Sequence, residues 1–393
     1  MQPQAVAQLG VMKLQSIQIL RAVAATAVVL SHIAAYERLY SKPEVYFQSL
    51  YYGSCGVDLF FVISGFVMAM TPTTQSTIQF LWNRASRIYP PYWFALAVFF
   101  GCAFAVPGLV DMGDPEKLSM VKTLFLVPQK ETGIIIVAWT LMFELWFYLV
   151  FAVTRVLKLP LAFVVPVWIA VPVLATIFGP KLKDLIIPYQ TVSPLCIEFI
   201  AGLLVAKMWQ NTKMRFAMPV LLAGIALLTF SVFFVAPHFN IGKSDYFQHW
   251  RTLVFGLPAA MILYGAVGME GSFRRLWSWM AIVGSASYST YLLHIPALAL
   301  SAKAISLMGL PGPLDNIAIL LGGVLAANAV GIAVFTLFET RVLSLSRRLP
   351  ALVKLAAHGA INSGLVWLSR RESLSAPHHD HVVANSAQGN DSV

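Results

Sequence analysis

The chain has 393 residues, of which 58% are hydrophobic and only 11% charged. With a mean hydropathy of +0.74, that composition excludes an ordinary soluble fold and predicts one large membrane domain. The net charge of +10 is spread over many short loops and gathers into no patch or stripe, so nucleic acid is not an expected partner.

About ten stretches are long and apolar enough to span a bilayer, at roughly 20 residues each. They lie near 17 to 36, 55 to 71, 91 to 110, 133 to 153, 160 to 178, 188 to 208, 216 to 236, 251 to 269, 280 to 302 and 317 to 339. The expected fold class is therefore an all-α integral membrane protein of about ten transmembrane helices. With the N-terminus inside, 17 of the 27 Lys and Arg fall in or beside inner segments, and Asp111, Asp114, Glu116, Glu131 and Asp184 fall outside. That asymmetry predicts both termini to be cytoplasmic. Residues 1–345 read as the membrane domain, 346–371 as an interfacial helix, and 372–393 as a disordered polar tail carrying His378, His379 and His381. Cys55, Cys102 and Cys196 lack metal-ligand spacing and suggest neither a disulfide framework nor a zinc site.

The first stretch, IQILRAVAATAVVLSHIAAY, carries Arg21 and His32. Their separation is about three helical turns, so both lie on one face roughly 16 Å apart along the axis. A charged group facing hydrocarbon costs several kcal/mol, which turns that face toward protein or water. In the second stretch, GVDLFFVISGFVMAM, Asp58 lies near the outer end with Ser64 and Gly65 at mid-depth. Asp58 enters the half of the bilayer that holds His32 and could orient or charge-stabilise the imidazole, or could serve as a carboxylate favoured by the helix dipole. The small pair permits close helix approach or room for a bound group.

The run FLWNRASRIYPPYW sets Arg84 and Arg87 three residues apart at the inner surface. If 78–89 is helical the two guanidiniums share a face and could clamp phosphates, against the alternative of a positive-inside pair with an aromatic belt of Trp82, Tyr89, Tyr92 and Trp93. The fourth stretch places Glu144 between Thr140 and Tyr148, a polar stripe in which a carboxylate needs a partner such as Arg21. Glu198 in the sixth stretch poses the same question. Ser287, Tyr291 and His294 form a further stripe in the ninth, and Glu339 beside Arg341 reads as a local interfacial ion pair.

Taken together, LRAVAATAVVLSH, GVDLFFVISGFVM, RASRIYPPYW, WTLMFELWFY and SYSTYLLHIP, in that order, make the chain similar to the acyltransferase-3 family of integral membrane O-acyltransferases, in its exopolysaccharide-modifying branch. The resemblance covers about residues 14 to 340. The family usually has serine where this chain has Thr140, and often a second acid where it has Leu145. The resemblance implies a bacterial inner-membrane enzyme that moves an acyl group, most simply acetyl from acetyl-CoA, to a hydroxyl of a polysaccharide or lipid-linked oligosaccharide, with no metal. It makes His32 the base or, as the alternative, a transient carrier of the acyl group, with Arg21 a positioning group and Glu144, Asp58 and His294 electrostatic partners. The donor would lie against Arg84, Arg87, Arg21, Ser64, Gly65 and Tyr148. A multi-pass transporter or flippase is the competing expectation, in which the intramembrane charges would form a proton relay or substrate path. The acyl group, the acceptor sugar and the oligomeric state are left open at this level.

Overall fold

A computed structural model describes residues 14–40, 47–72, 74–114, 117–128, 133–182, 189–211, 214–239, 241, 250–271 and 278–346. The expected interfacial helix beyond 346 and the histidine-containing tail lie outside the described residues. Met1–Leu343 forms one compact unit; of the second, Ser344–Val393, the described residues are 344–346.

Every described element is helical. We number the principal helices α1 (Gln15–Tyr40), α2 (Gly56–Ala69), α3 (Thr77–Ala105), α4 (Trp139–Val156), α5 (Leu161–Leu182), α6 (Leu195–Asn211), α7 (Ala217–Phe230), α8 (Leu257–Gly268), α9 (Ser278–Ser306) and α10 (Gly312–Val334). Each of the ten expected spans falls on one of them. Among the described residues, six runs are long and apolar enough to cross a membrane: those containing α1, α2, α3, α4, α7 and α10. Shorter apolar stretches at Leu161–Ala175 and Thr252–Gly268 accompany α5 and α8.

α1 is hydrophobic on most of its circumference, as befits a buried helix: Ala24, Ala25, Val29 and Ile33 are fully buried. It packs chiefly against α9 and the 3₁₀ segment Gln48–Cys55, while α2 packs on α6 and α7 on α8. Both ends of α1 are tied to distant parts of the chain. The backbone N–H groups of Gln15 and Ser16 donate to the Glu270 carboxylate at 2.5 and 2.9 Å, which satisfies two orphan donors and places negative charge at the helix N-terminus. At the other end, Glu37 accepts Asn316 Nδ2 at 2.7 Å and the Phe47 N–H at 3.2 Å.

The segment expected as a separate helix at 78–89 followed by a span at 91–110 is one continuous helix, α3, capped by the Ser76 hydroxyl accepting from Gln79 N–H at 3.2 Å. Pro90 and Pro91 sit inside it. The N–H groups that the prolines lack would have served the Ser86 and Arg87 carbonyls; next to these, the Ile88 carbonyl accepts the Tyr288 hydroxyl at 2.9 Å, which ties α3 to α9 at this point. Tyr89, Tyr92 and Trp93 do more than mark an interface: they donate to the carbonyls of Phe125, Thr123 and Leu124 at 3.1, 2.7 and 2.9 Å. These carbonyls close the short helix Met120–Leu124, whose last turn leaves acceptors without intrahelical partners.

Three π-helical turns occur, Ser231–Val235, Thr252–Gly256 and Phe335–Glu339. Such turns re-aim side chains and concentrate at functional sites. The last brings Glu339 to 3% exposure, where it accepts the Ser289 hydroxyl at 2.6 Å. Its role as a surface ion pair with Arg341 is thereby corrected: an inserted residue in the turn rotates the carboxylate into the bundle.

Candidate active site

One cavity runs between α1, α2, α3, α4 and α9. Arg21 from α1, Ser64 from α2, Arg84 and Arg87 from α3, and Glu144 and Tyr148 from α4 all line it. These are six of the residues singled out in the sequence, contributed by four helices. Their convergence follows from period: Thr140, Glu144 and Tyr148 repeat every fourth residue and therefore present one face of α4.

Within the cavity the polar groups are mutually bonded. Ser64 Oγ donates to Glu144 Oε1 at 3.1 Å, and the Tyr148 hydroxyl donates to the same carboxylate oxygen. Arg84 donates to Thr71 Oγ1 at 3.2 Å while its guanidinium lies over the rings of Phe80 and Tyr148, 5.4 and 5.2 Å from their centroids. A cation held against aromatic faces is oriented while its remaining donors stay available. A guanidinium set against aromatic rings, with those of Arg21 and Arg87 lining the same cavity, suits a phosphate-bearing ligand.

Toward the far end of α1 stands a histidine pair. His294 Nε2 is 3.2 Å from His32 Nδ1, the ring centroids 4.9 Å apart and inclined at 62°. The tautomers follow from the partners. His294 Nδ1 faces the Tyr291 carbonyl at 2.7 Å, which can only accept, so that nitrogen carries the proton and Nε2 is bare. His32 Nδ1 faces the Val28 carbonyl at 3.0 Å and bare His294 Nε2, so it too carries a proton. His32 Nε2 is left unprotonated, as a general base requires.

Two of the sequence-predicted residues are elsewhere. Asp58, expected to support His32, is bonded to Arg251: Arg251 Nε and a terminal guanidinium nitrogen reach its two oxygens at 2.9 and 2.6 Å, and Arg251 also donates to the Ser54 carbonyl at 3.0 Å. A fully buried carboxylate takes the strongest bidentate donor within reach, and a guanidinium outcompetes a neutral imidazole for it. Gly65 faces away from the cavity. A β-carbon there would strike the Phe199 carbonyl and lie 3.2 Å from Gly202 Cα, so its work is to let α2 and α6 approach.

Two residues were not foreseen, Tyr288 and Arg251. Tyr288 lines the cavity, as do Ser287 and Tyr291 of the stripe noted in the sequence; the Tyr291 hydroxyl lies 2.9 Å from Thr140 Oγ1 and 3.1 Å from the Val137 carbonyl. The density of hydroxyl groups in SASYSTY was the available signal. Arg251 carried no such signal, since a lone cation at the head of an apolar stretch reads as a topology determinant. The charges on Asp58 and Arg251 act in turn on buried Glu198. Among the described residues, no group of three or more His, Cys, Asp or Glu could hold a metal ion.

A family model described as an acyltransferase domain matches residues 14–336. The exopolysaccharide production protein ExoZ of Rhizobium meliloti (strain 1021) is 31% identical over 321 residues, covering 78% of this chain and 95% of its own length. No solved structure matches. The cavity, the histidine pair and the extent of the family match lead to one statement of kind: the chain belongs to the acyltransferase-3 family and is a multi-pass membrane O-acyltransferase.

Proposed function

We propose that this enzyme transfers an acyl group, acetyl in the first instance, from a cytoplasmic acyl-CoA to a hydroxyl of an exported polysaccharide or its lipid-linked precursor, in the inner membrane of a bacterium. Both termini then face the cytoplasm, which puts the Arg84 and Arg87 end of the cavity where the donor arrives and His32 toward the acceptor. The observation that carries the reading is the cavity itself, lined by Arg21, Arg84, Arg87 and Glu144 and reaching Tyr291, one turn of α9 from the histidine pair. The role of the ExoZ relative in exopolysaccharide production supports the acceptor class.

In the reaction so drawn, His32 Nε2 takes the proton of the sugar hydroxyl as that oxygen attacks the thioester carbonyl. The tetrahedral intermediate collapses with cleavage of the C–S bond, and the thiolate of coenzyme A recovers the proton from His32. The imidazolium formed in between donates through Nδ1 to the Val28 carbonyl and His294 Nε2. Arg84 and Arg87 bind donor phosphates, Arg21 positions the donor, Glu144 with Ser64 and Tyr148 holds the cavity wall and its charge in place, and Asp58 acts only by fixing the start of α2 through Arg251.

The test is complementation. A producing strain lacking the chain receives wild type or His32→Ala at equal membrane levels, and proton NMR reads ester-linked acetyl on its surface polysaccharide. Wild type restores the ester and His32→Ala leaves at most about one part in a hundred, the lower bound for losing a general base. Equal restoration by both removes His32 from the mechanism.

A further inference from the structure

The cavity changes character along its length. At one end it is lined by the guanidiniums of Arg84 and Arg87; at the other it closes on Val57, Phe60, Phe61, Leu141 and Tyr291. On α4 this is a passage of two helical turns, from Tyr148 to Thr140, or about 12 Å. The histidines are not among the lining residues, but Tyr291 is, one turn of α9 before His294. Its ring is 5.8 Å from that of Phe60 and 6.0 Å from that of His294.

Tyr291 is not a loose wall. Its hydroxyl donates to the Val137 carbonyl at 3.1 Å and lies 2.9 Å from Thr140 Oγ1, whose single proton goes either to Tyr291 or to the same Val137 carbonyl, 3.0 Å away. Val137 belongs to a 3₁₀ turn, Ile136–Ala138, that enters α4, so its carbonyl is set by backbone and not by a rotamer. The Tyr291 carbonyl in turn holds His294 Nδ1 at 2.7 Å. Both the position of the ring and the orientation of the histidine pair thus depend on one turn of α9. Tyr291 is 6% exposed and Thr140 7%, which leaves little slack for the ring to yield.

We propose that Tyr291, pinned by Thr140 and Val137, is the end wall of the acyl-binding part of the cavity and limits the enzyme to short acyl chains. The inference rests on the cavity being the donor site. A two-carbon acyl group fits between the polar passage and the ring with its carbonyl kept beside the histidine turn. A longer chain must displace the ring, breaking its hydrogen bonds and shifting the backbone that holds His294. Apolar walls discriminate by roughly 10- to 200-fold per added methylene when the site cannot relax.

The experiment is a competition. Full-length enzyme in detergent is given equimolar acetyl-CoA and butyryl-CoA with the producing strain's polysaccharide, stripped of esters by mild alkali, and mass spectrometry counts the two carboxylates released from the product. The product ratio does not depend on how much enzyme is folded. Wild type favours acetyl by at least about tenfold; Tyr291→Ala raises the butyryl-to-acetyl ratio at least about tenfold, and Thr140→Val, which keeps the ring and removes one pin, moves it the same way by about threefold or more. Should Tyr291→Ala yield no ester, Thr140→Val decides. Ratios within twofold of wild type in every active variant, or a wild type indifferent to chain length, overturn the proposal. A wild type that esterifies nothing from either donor overturns the donor-site reading instead.

Discussion

Replacing His294 by alanine separates catalysis from architecture. The substitution removes the acceptor 3.2 Å from His32 Nδ1 and leaves the Val28 carbonyl at 3.0 Å and Ser31 Oγ at 3.2 Å as its neighbours. Since Val28 still selects the Nδ1–H tautomer, His32 stays competent as a base. What is lost is the charge-assisted bond from the imidazolium to His294, about 1.5–3 kcal/mol. The interaction matters in the transition state and hardly in the ground state, so the loss falls on kcat, by roughly 10- to 150-fold, with KM for the acyl donor nearly unchanged. The assay is steady-state acyl transfer by purified enzyme, in parallel with His32→Ala, for which the expected loss is about 10²- to 10⁴-fold. His294→Gln, which keeps an amide near the old Nε2 position, recovers part of the rate. An unchanged kcat in His294→Ala would refute the reasoning, because the Val28 carbonyl and Ser31 Oγ would then suffice. A raised KM at constant kcat would move His294 from the histidine pair to donor binding.

Two further outcomes concern the frame around the site. The Asp58–Arg251 pair is buried on both sides, 0% and 10% exposed, and Arg251→Met leaves Asp58 and Glu198 facing each other without a cation; thermal unfolding in detergent then shows a loss of about 3–5 kcal/mol, part of which Asp58→Asn in the same chain restores. A melting curve equal to wild type in Arg251→Met counts against the pair as a structural tie. Gly65→Leu forces α2 off the Phe199 carbonyl and abolishes folded protein by gel filtration, whereas the neighbouring Ser64→Ala keeps the fold and loses only the 3.1 Å bond to Glu144; equal yields from the two variants contradict the assignment.

What the amino-acid sequence determined by itself was the set of helices and the identity of the chemically competent groups. Ten apolar stretches fall on ten helices because length and hydropathy are properties of a segment, readable without neighbours. Arg21, Arg84, Arg87, Glu144 and Tyr148 stood out for a similarly local reason: an ionisable or polar group inside an apolar helix needs a partner wherever the helix goes. The spacing of Thr140, Glu144 and Tyr148 even specified the face they share. Pairing is another matter, because it depends on where helices far apart in sequence cross. Asp58 and Arg251 are 193 residues apart, His32 and His294 are 262 apart, and nothing in either local stretch distinguishes Arg251 from an ordinary topology-setting cation. Gly65 left open room for a ligand or for a helix and proved to be room for a helix, a choice made by the Phe199 backbone and not by GVDLFFVISGF. Glu339 looked like a surface charge until the π turn swung it inward beside Ser289. Burial and the competition between donors for a carboxylate are settled only when the bundle closes, and the tertiary structure alone decided them.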